Sequence, residues 1–255
     1  MSRKLLIALV TLLLLALVLA THGCRRVTLV GDSLLGCARD TFVDAINSNN
    51  GESWVYTEYV KGGCTSYNNP INEEIYSKGM EIAFDYPDVV VMSFGTNDMS
   101  EVTQDRISFD SAVQSLQTLI NQAVVAGANC IVMLESSHRF KADLPLNARF
   151  EMHMDDWFSH WHSQTGVNEY LGIPYKLLVA DISDTVESDM DASISDYIHF
   201  NEAGAKLAAE ALVEQINTCP EGRWIFGENS LKTEVNYPDN PYIPGDSKHA
   251  PAHSG

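Results

Sequence analysis

A chain of 255 residues, 45% apolar and 20% charged, is long enough for one α/β domain with a sizeable core. Its formal net charge of −18 excludes sequence-independent nucleic-acid binders, which need a basic surface to displace phosphate counterions, and disfavours docking on anionic lipid. The charge reads most simply as a solubilising surface, with adaptation to salt or steering of cationic substrates as alternatives.

In chain order, Arg3 and Lys4 precede an uncharged apolar run from Leu5 to Ala20. That run is longer than a typical signal-peptide core and shorter than a membrane span of about 20 residues. Val18-Leu19-Ala20 is a small-residue cleavage site. Gly23-Cys24 ends like a bacterial lipoprotein site, although Thr21 and His22 fit it poorly, and Arg25-Arg26 suit a retained anchor. Residues 1–24 are therefore a signal peptide or a membrane or lipid anchor, and the expected location is secreted, periplasmic or cell-surface. Any membrane attachment runs through this segment alone.

Beyond it, strands and helices alternate. A β-branched run over 26–30 reads as a buried strand, ended by Gly31-Asp32-Ser33, with a helix over 34–45. A second strand is predicted over 54–60, then Gly62-Gly63-Cys64-Thr65, an Asn-rich loop and a helix over 73–84. The continuous apolar run Val89 to Phe94 predicts a central strand covered on both faces, followed by Gly95-Thr96-Asn97-Asp98. A helix over 109–126 closes at Gly127, and a fourth strand covers 130–134. Residues 136–172 are less regular. A fifth strand over 177–182, Asp196-Tyr197-Ile198-His199 and a helix over 201–216 complete the pattern. Such alternation implies a parallel sheet with right-handed crossovers. One domain over 25–227 is expected, followed by a poorly ordered tail over 228–255, rich in Asn, Pro, Ser, Gly and His.

A serine at the carboxyl end of a parallel strand sits where open α/β sheets bind ligands, and it becomes a nucleophile if a base reaches it. His199 is the candidate base, and Asp196 can hold its far ring nitrogen, fixing the tautomer. Oxyanion donors are available in the Ser33 N–H, a glycine N–H at Gly62 or Gly63, and the Asn97 amide. Each lone motif has a plainer use as a turn, a helix cap or a surface pair. Convergence of three strand ends on one crevice favours chemistry.

Gly31-Asp32-Ser33-Leu34, Gly63, Gly95-Thr96-Asn97-Asp98 and Asp196-x-x-His199-x-Asn201 resemble, in order, the four blocks of the SGNH (GDSL) hydrolases. The resemblance spans residue 27 to about 217. It implies a three-layer α/β/α sandwich with a flavodoxin-like, five-stranded parallel sheet. It also implies esterase, lipase, thioesterase or carbohydrate-deacetylase activity without metal or cofactor. Ser33, Asp196 and His199 would then be the triad, with Ser33, Gly63 and Asn97 as oxyanion donors. Lys61-Gly62-Gly63 leaves the donor glycine ambiguous, and Gly63 is favoured because small residues follow it. A Gly-x-Ser-x-Gly elbow is missing, which argues against the classical α/β-hydrolase fold.

The chain has five cysteines. With Cys24 lipidated or removed, Cys37 can pair with Cys64 and Cys130 with Cys219, or all four are free and buried. Met152-His153-Met154 with His160 and His162 does not follow a standard zinc spacing. Trp157 and Trp161 share a helical face, which favours a flap lining the acyl or alcohol pocket, and His138 and Arg139 are further candidates for touching substrate. The expected function is an exported esterase for a small-molecule or glycan ester, of short acyl or acetyl type. The alternatives are an O-acyltransferase with the same triad or a catalytically idle surface-anchored binding module.

Overall fold

The computed structural model describes residues 24–48, 53–67, 86–141 and 146–220. The leader up to residue 23, the expected helix over 73–84 and the tail over 228–255 lie outside the described residues. Strands β1 (Cys24–Gly31), β2 (Ser53–Val60), β3 (Val89–Ser93), β4 (Cys130–Glu135), β5 (Gly166–Tyr170) and β6 (Ile173–Asp181) form one sheet in the order β2-β1-β3-β4-β6-β5. All neighbours are parallel except β5, which runs antiparallel along β6.

The helices are α1 (Ser33–Ser48), α2 (Thr96–Thr103), α3 (Phe109–Val125), α4 (Asn147–Ser163), α5 (Ser183–Ser188), α6 (Met190–Ser193) and α7 (Glu202–Ile216). Side chains alternate across a strand, so the apolar runs of β3 and β4 feed both faces. Val89, Val91 and Val132 pack with Leu35, Phe42, Ala208 and Leu212 of α1 and α7. Val90, Met92 and Ile131 pack with Met99, Leu116, Ile120 and Trp157 of α2, α3 and α4. The result is a three-layer α/β/α sandwich.

Two expectations are corrected here. The sheet has six strands and is mixed, where five parallel strands were expected. β5 escapes a sequence reading because it is an edge strand with no fully buried position, so it carries no apolar run. Its turn is equally hidden: Leu171 and Gly172 both have positive φ, 53° and 79°, as a two-residue hairpin loop requires, and leucine is an unusual residue there. The expected helical flap is a helix, α4, of 17 residues, but its aromatic face turns to the core and not to a pocket. Phe150, Met154, Trp157, Phe158 and Trp161 form its buried face. Trp157 and Trp161 are both 0% exposed, with rings edge-to-face at 5.7 Å, so they build the core and line no pocket.

Cys130 and Cys219 form a disulfide joining the start of β4 to the end of α7. Cys37 and Cys64 are free, and the Cys64 thiol donates instead to the carbonyls of Gly31 and Lys61. The disulfide closes a separation of 89 residues. On the chain-entropy account its loss costs about 2–4 kcal/mol. The double substitution Cys130→Ala/Cys219→Ala is therefore expected to lower the urea midpoint without changing the far-ultraviolet spectrum, and an unchanged midpoint would refute that contribution.

Candidate active site

In a sheet of order 2-1-3-4, consecutive connections leave in opposite directions between β1 and β3, and the gap above their carboxyl ends is the ligand crevice. The loops after β1, β2 and β3 meet there. Gly31 is needed because β1 and β3 approach closely: a Cβ at Gly31 would lie 2.6 Å from the Ser93 carbonyl oxygen. Asp32 then caps α1, its Oδ1 accepting from the Leu34 N–H at 3.0 Å. Ser33 is thereby fixed at the first position of the helix, where backbone N–H groups have no intrahelical acceptor.

His199 is positioned by a separate device. Asp196 makes an Asx turn, with Oδ1 accepting from the N–H groups of Ile198 and His199, both at 2.9 Å. Ser195 N–H donates to the His199 carbonyl, and an Ile194–Phe200 bridge closes the loop. Asn201 caps α7 by accepting from Ala203 and Gly204, which anchors the loop's far side. The other Asp196 oxygen, Oδ2, is 2.8 Å from His199 Nδ1, and His199 Nε2 is 2.9 Å from Ser33 Oγ. Ser33, His199 and Asp196 thus form one hydrogen-bonded series across 166 residues of chain. The Ile198 N–H first, then the His199 ring and N–H, hold the Asp196 carboxyl well below the usual carboxylate range. It stays ionised facing the imidazole.

Asn97 lies in the first turn of α2, and its Nδ2 donates to the Cys64 carbonyl at 3.0 Å and to Asp32 Oδ2 at 3.2 Å. One amide therefore joins the loops after all three strands. Both its hydrogens have acceptors, so donation to a bound oxyanion exchanges one of these bonds, the longer one to Asp32 being the easier to give up. The glycine loop is tied down by Asp98, which accepts from Ser66 N–H and Oγ–H at 2.8 and 2.5 Å. Gly62 faces the serine: a Cβ there would lie 3.8 Å from Ser33 Cβ. One at Gly63 would meet nothing within 4 Å, and Gly63 serves the turn through its φ of +77°. The N–H groups of Ser33, Gly62 and Gly63 have no backbone acceptor among the described residues.

Sequence reading treated Asp32 as part of a turn and missed its second task. It is a fully buried carboxyl that also accepts from Ser93 Oγ and steadies Asn97. Burial raises its pKa to about 7, and Asp98 is likewise raised by burial to about 6. Both groups are held above their unfolded values, so their stabilisation is full below about pH 4 and is lost as pH rises through 6 and 7. Stability to urea should therefore fall between pH 4 and pH 8, and Asp32→Asn should flatten part of that fall. An identical slope in the variant would refute the assignment.

Burial pushes the Cys64 thiol up to about 12, so it is no competing nucleophile. His138 and Arg139, expected near substrate, brace the loop instead. His138 stacks on Phe158 and bridges Glu135 and Asp155, while Arg139 engages Glu187. Burial opposes the charge on His138, but those two carboxylates outweigh it and hold its pKa at about 9. Among the described residues no helix is long and apolar enough to cross a membrane.

No family model and no curated protein sequence matches the chain. Solved structures do. The acetylxylan esterase Axe2 from Geobacillus stearothermophilus superposes with a TM-score of 0.57 at 13% identity, over 76% of this chain and 95% of that one. A putative SGNH hydrolase from Slackia heliotrinireducens gives 0.57 at 19% identity, over 76% and 100%. The lipase Lip_vut3 from a goat rumen metagenome gives 0.54 at 14% identity, over 74% and 96%. At these identities the likeness establishes a shared fold.

Proposed function

We infer that this chain is an SGNH-type serine carboxylic ester hydrolase, exported, that removes a short acyl group through an acyl-enzyme on Ser33. The observation that carries the reading is the unbroken series Ser33 Oγ–His199 Nε2, His199 Nδ1–Asp196 Oδ2 at the crevice between β1 and β3. His199 takes the Ser33 proton as Oγ attacks the ester carbonyl, and returns it to the departing alcohol. Water, deprotonated by the same imidazole, then frees the acid. Asp196 keeps the proton-bearing nitrogen pointed away from the serine.

The tetrahedral oxyanion is received by the N–H of Ser33, the N–H of Gly63 and the amide of Asn97. Gly62, whose N–H likewise has no backbone acceptor among the described residues and whose Cα faces Ser33, is the other glycine to test. Asn97→Ala is expected to lower kcat by about 10²–10³-fold with little change in KM, since the donor acts on charge that develops in the transition state. An unchanged kcat would remove Asn97 from this role.

An acetyl ester on a carbohydrate is the favoured substrate. The fold neighbours include an acetylxylan esterase, and a charge of −18 is compatible with neutral glycans. Export is supported by the apolar segment Leu5 to Ala20 behind Arg3 and Lys4, and by the Cys130–Cys219 disulfide, which suits an oxidising compartment. Hydrolysis of p-nitrophenyl acetate, butyrate and octanoate, with acetylated xylo-oligosaccharide alongside, tests the reading. Turnover falling with chain length is expected. Octanoate preference would indicate a lipase, and acyl transfer to an added sugar would indicate a transferase. No turnover on any ester by folded protein would favour the binding module.

A further inference from the structure

Beyond β3 from Ser33, the carboxyl edge of the sheet carries a second polar cluster. Glu135 ends β4, Asp181 ends β6, and the two are register partners on adjacent parallel strands. Glu135 is only 2% exposed. Two carboxylates set side by side, one of them buried and the other exposed, form a pair that a bound cation could bridge. His162, in the last turn of α4, brings Nε2 to 2.5 Å from Glu135 Oε2. One ligand-type atom from each of Glu135, His162 and Asp181 lies within 4.8 Å of the other two.

The surroundings have the form of an outer coordination shell. Glu135 Oε1 is held by His138 Nε2 at 2.7 Å, and His138 is fixed in turn by Asp155 at 2.7 Å and by stacking on Phe158. Asp181 Oδ1 accepts from the Ser183 N–H at 2.9 Å and from its Oγ–H at 2.7 Å. Each carboxylate thus has one oxygen anchored away from the cluster, as carboxylates that ligate metals usually do, and Glu135 Oε2, bonded to His162, would exchange that bond for the metal. We infer that Glu135, His162 and Asp181 bind a zinc-class divalent metal ion. One imidazole nitrogen and two carboxylate oxygens form a three-ligand set, with water completing a tetrahedron. An imidazole ligand disfavours Ca²⁺ and Mg²⁺, which take oxygen.

On binding, the His162–Glu135 hydrogen bond is replaced by two metal bonds, and any proton on Nε2 passes to solvent. The ion would tie β4, β6 and α4 together at the root of the loop that begins at Ser136. Lys141 of that loop donates its N–H to the Tyr197 carbonyl, beside Asp196. The site lies on other strands than Ser33, and the proposal is independent of the esterase reading. Sequence spacing missed it because the three ligands come from three elements.

The test is titration of the chelator-treated full chain with Zn²⁺ by calorimetry, with thermal midpoints and a Co²⁺ absorption spectrum. The expected result is one tight equivalent, a raised midpoint, tetrahedral Co²⁺ bands, and no response to Mg²⁺. His162→Ala and Asp181→Asn, both at exposed side chains, should fold normally and weaken Zn²⁺ binding at least about 100-fold, beyond the usual cost of losing an outer-shell partner. His160→Ala should bind as wild type. Absence of binding, or tight binding that survives in both ligand variants, would overturn the site.

Discussion

Ser33→Ala is expected to abolish ester hydrolysis while leaving thermal stability nearly unchanged. Among the described residues the hydroxyl makes one hydrogen bond, to His199 at 2.9 Å, and none that holds the fold together. Losing the nucleophile or the base from a serine triad costs about 10⁴–10⁶-fold in kcat, and losing both costs little more, because the members act as one unit. His199→Ala and Ser33→Ala/His199→Ala should therefore match the single serine variant within about tenfold. Additive losses would mean that serine and histidine act independently. Progress curves with p-nitrophenyl acetate on folded protein are sufficient to tell these apart.

Asp196→Asn has the next largest expected effect, through a specific geometric cause. Oδ1 is committed to the Ile198 and His199 N–H groups, so the asparagine carbonyl must remain there to keep the turn. Its NH₂ then faces His199 Nδ1 as a donor. The imidazole responds by moving its proton to Nε2, and that nitrogen can no longer accept from Ser33. The same tautomer reversal in a serine protease costs about 10⁴-fold. Asp196 is 44% exposed, so water can partly replace it, and a loss of about 10²–10⁴-fold is expected. Asp196→Ala removes the turn as well and should cost stability in addition. If Asp196→Asn retained full kcat, the carboxylate would be serving the loop alone.

The residues that the mechanism needs were legible because each sits where a short motif meets a strand end. Val27 to Val30 and Val89 to Phe94 announce buried strands by composition alone, and the residues just after each run must lie at the sheet's carboxyl edge. Gly31 was readable as a turn, and its close contact with Ser93 explains why only glycine fits. The long-range pairings stayed hidden. Asp32 holding Asn97, and Asp98 holding Ser66, pair residues 65 and 32 positions apart, with no spacing rule to reveal them. β5 lacked an apolar run because it lies at an edge. The aromatic face of α4 was legible in the spacing of Trp157 and Trp161, but spacing does not tell whether such a face meets the core or a pocket. Of the two cysteine pairings considered, Cys130–Cys219 is bridged, whereas Cys64 spends its thiol on two backbone carbonyls.

The most direct test of the central claim is labelling with an organophosphate ester, diethyl p-nitrophenyl phosphate, read by intact mass and peptide mapping. The Ser33 oxygen displaces p-nitrophenolate and His199 takes the serine proton. One diethylphosphoryl group per chain should appear on the peptide carrying Ser33, with one equivalent of p-nitrophenol released, and none on Ser33→Ala. Labelling of another residue in active protein, or hydrolytic activity that survives full labelling at Ser33, would contradict a nucleophilic Ser33.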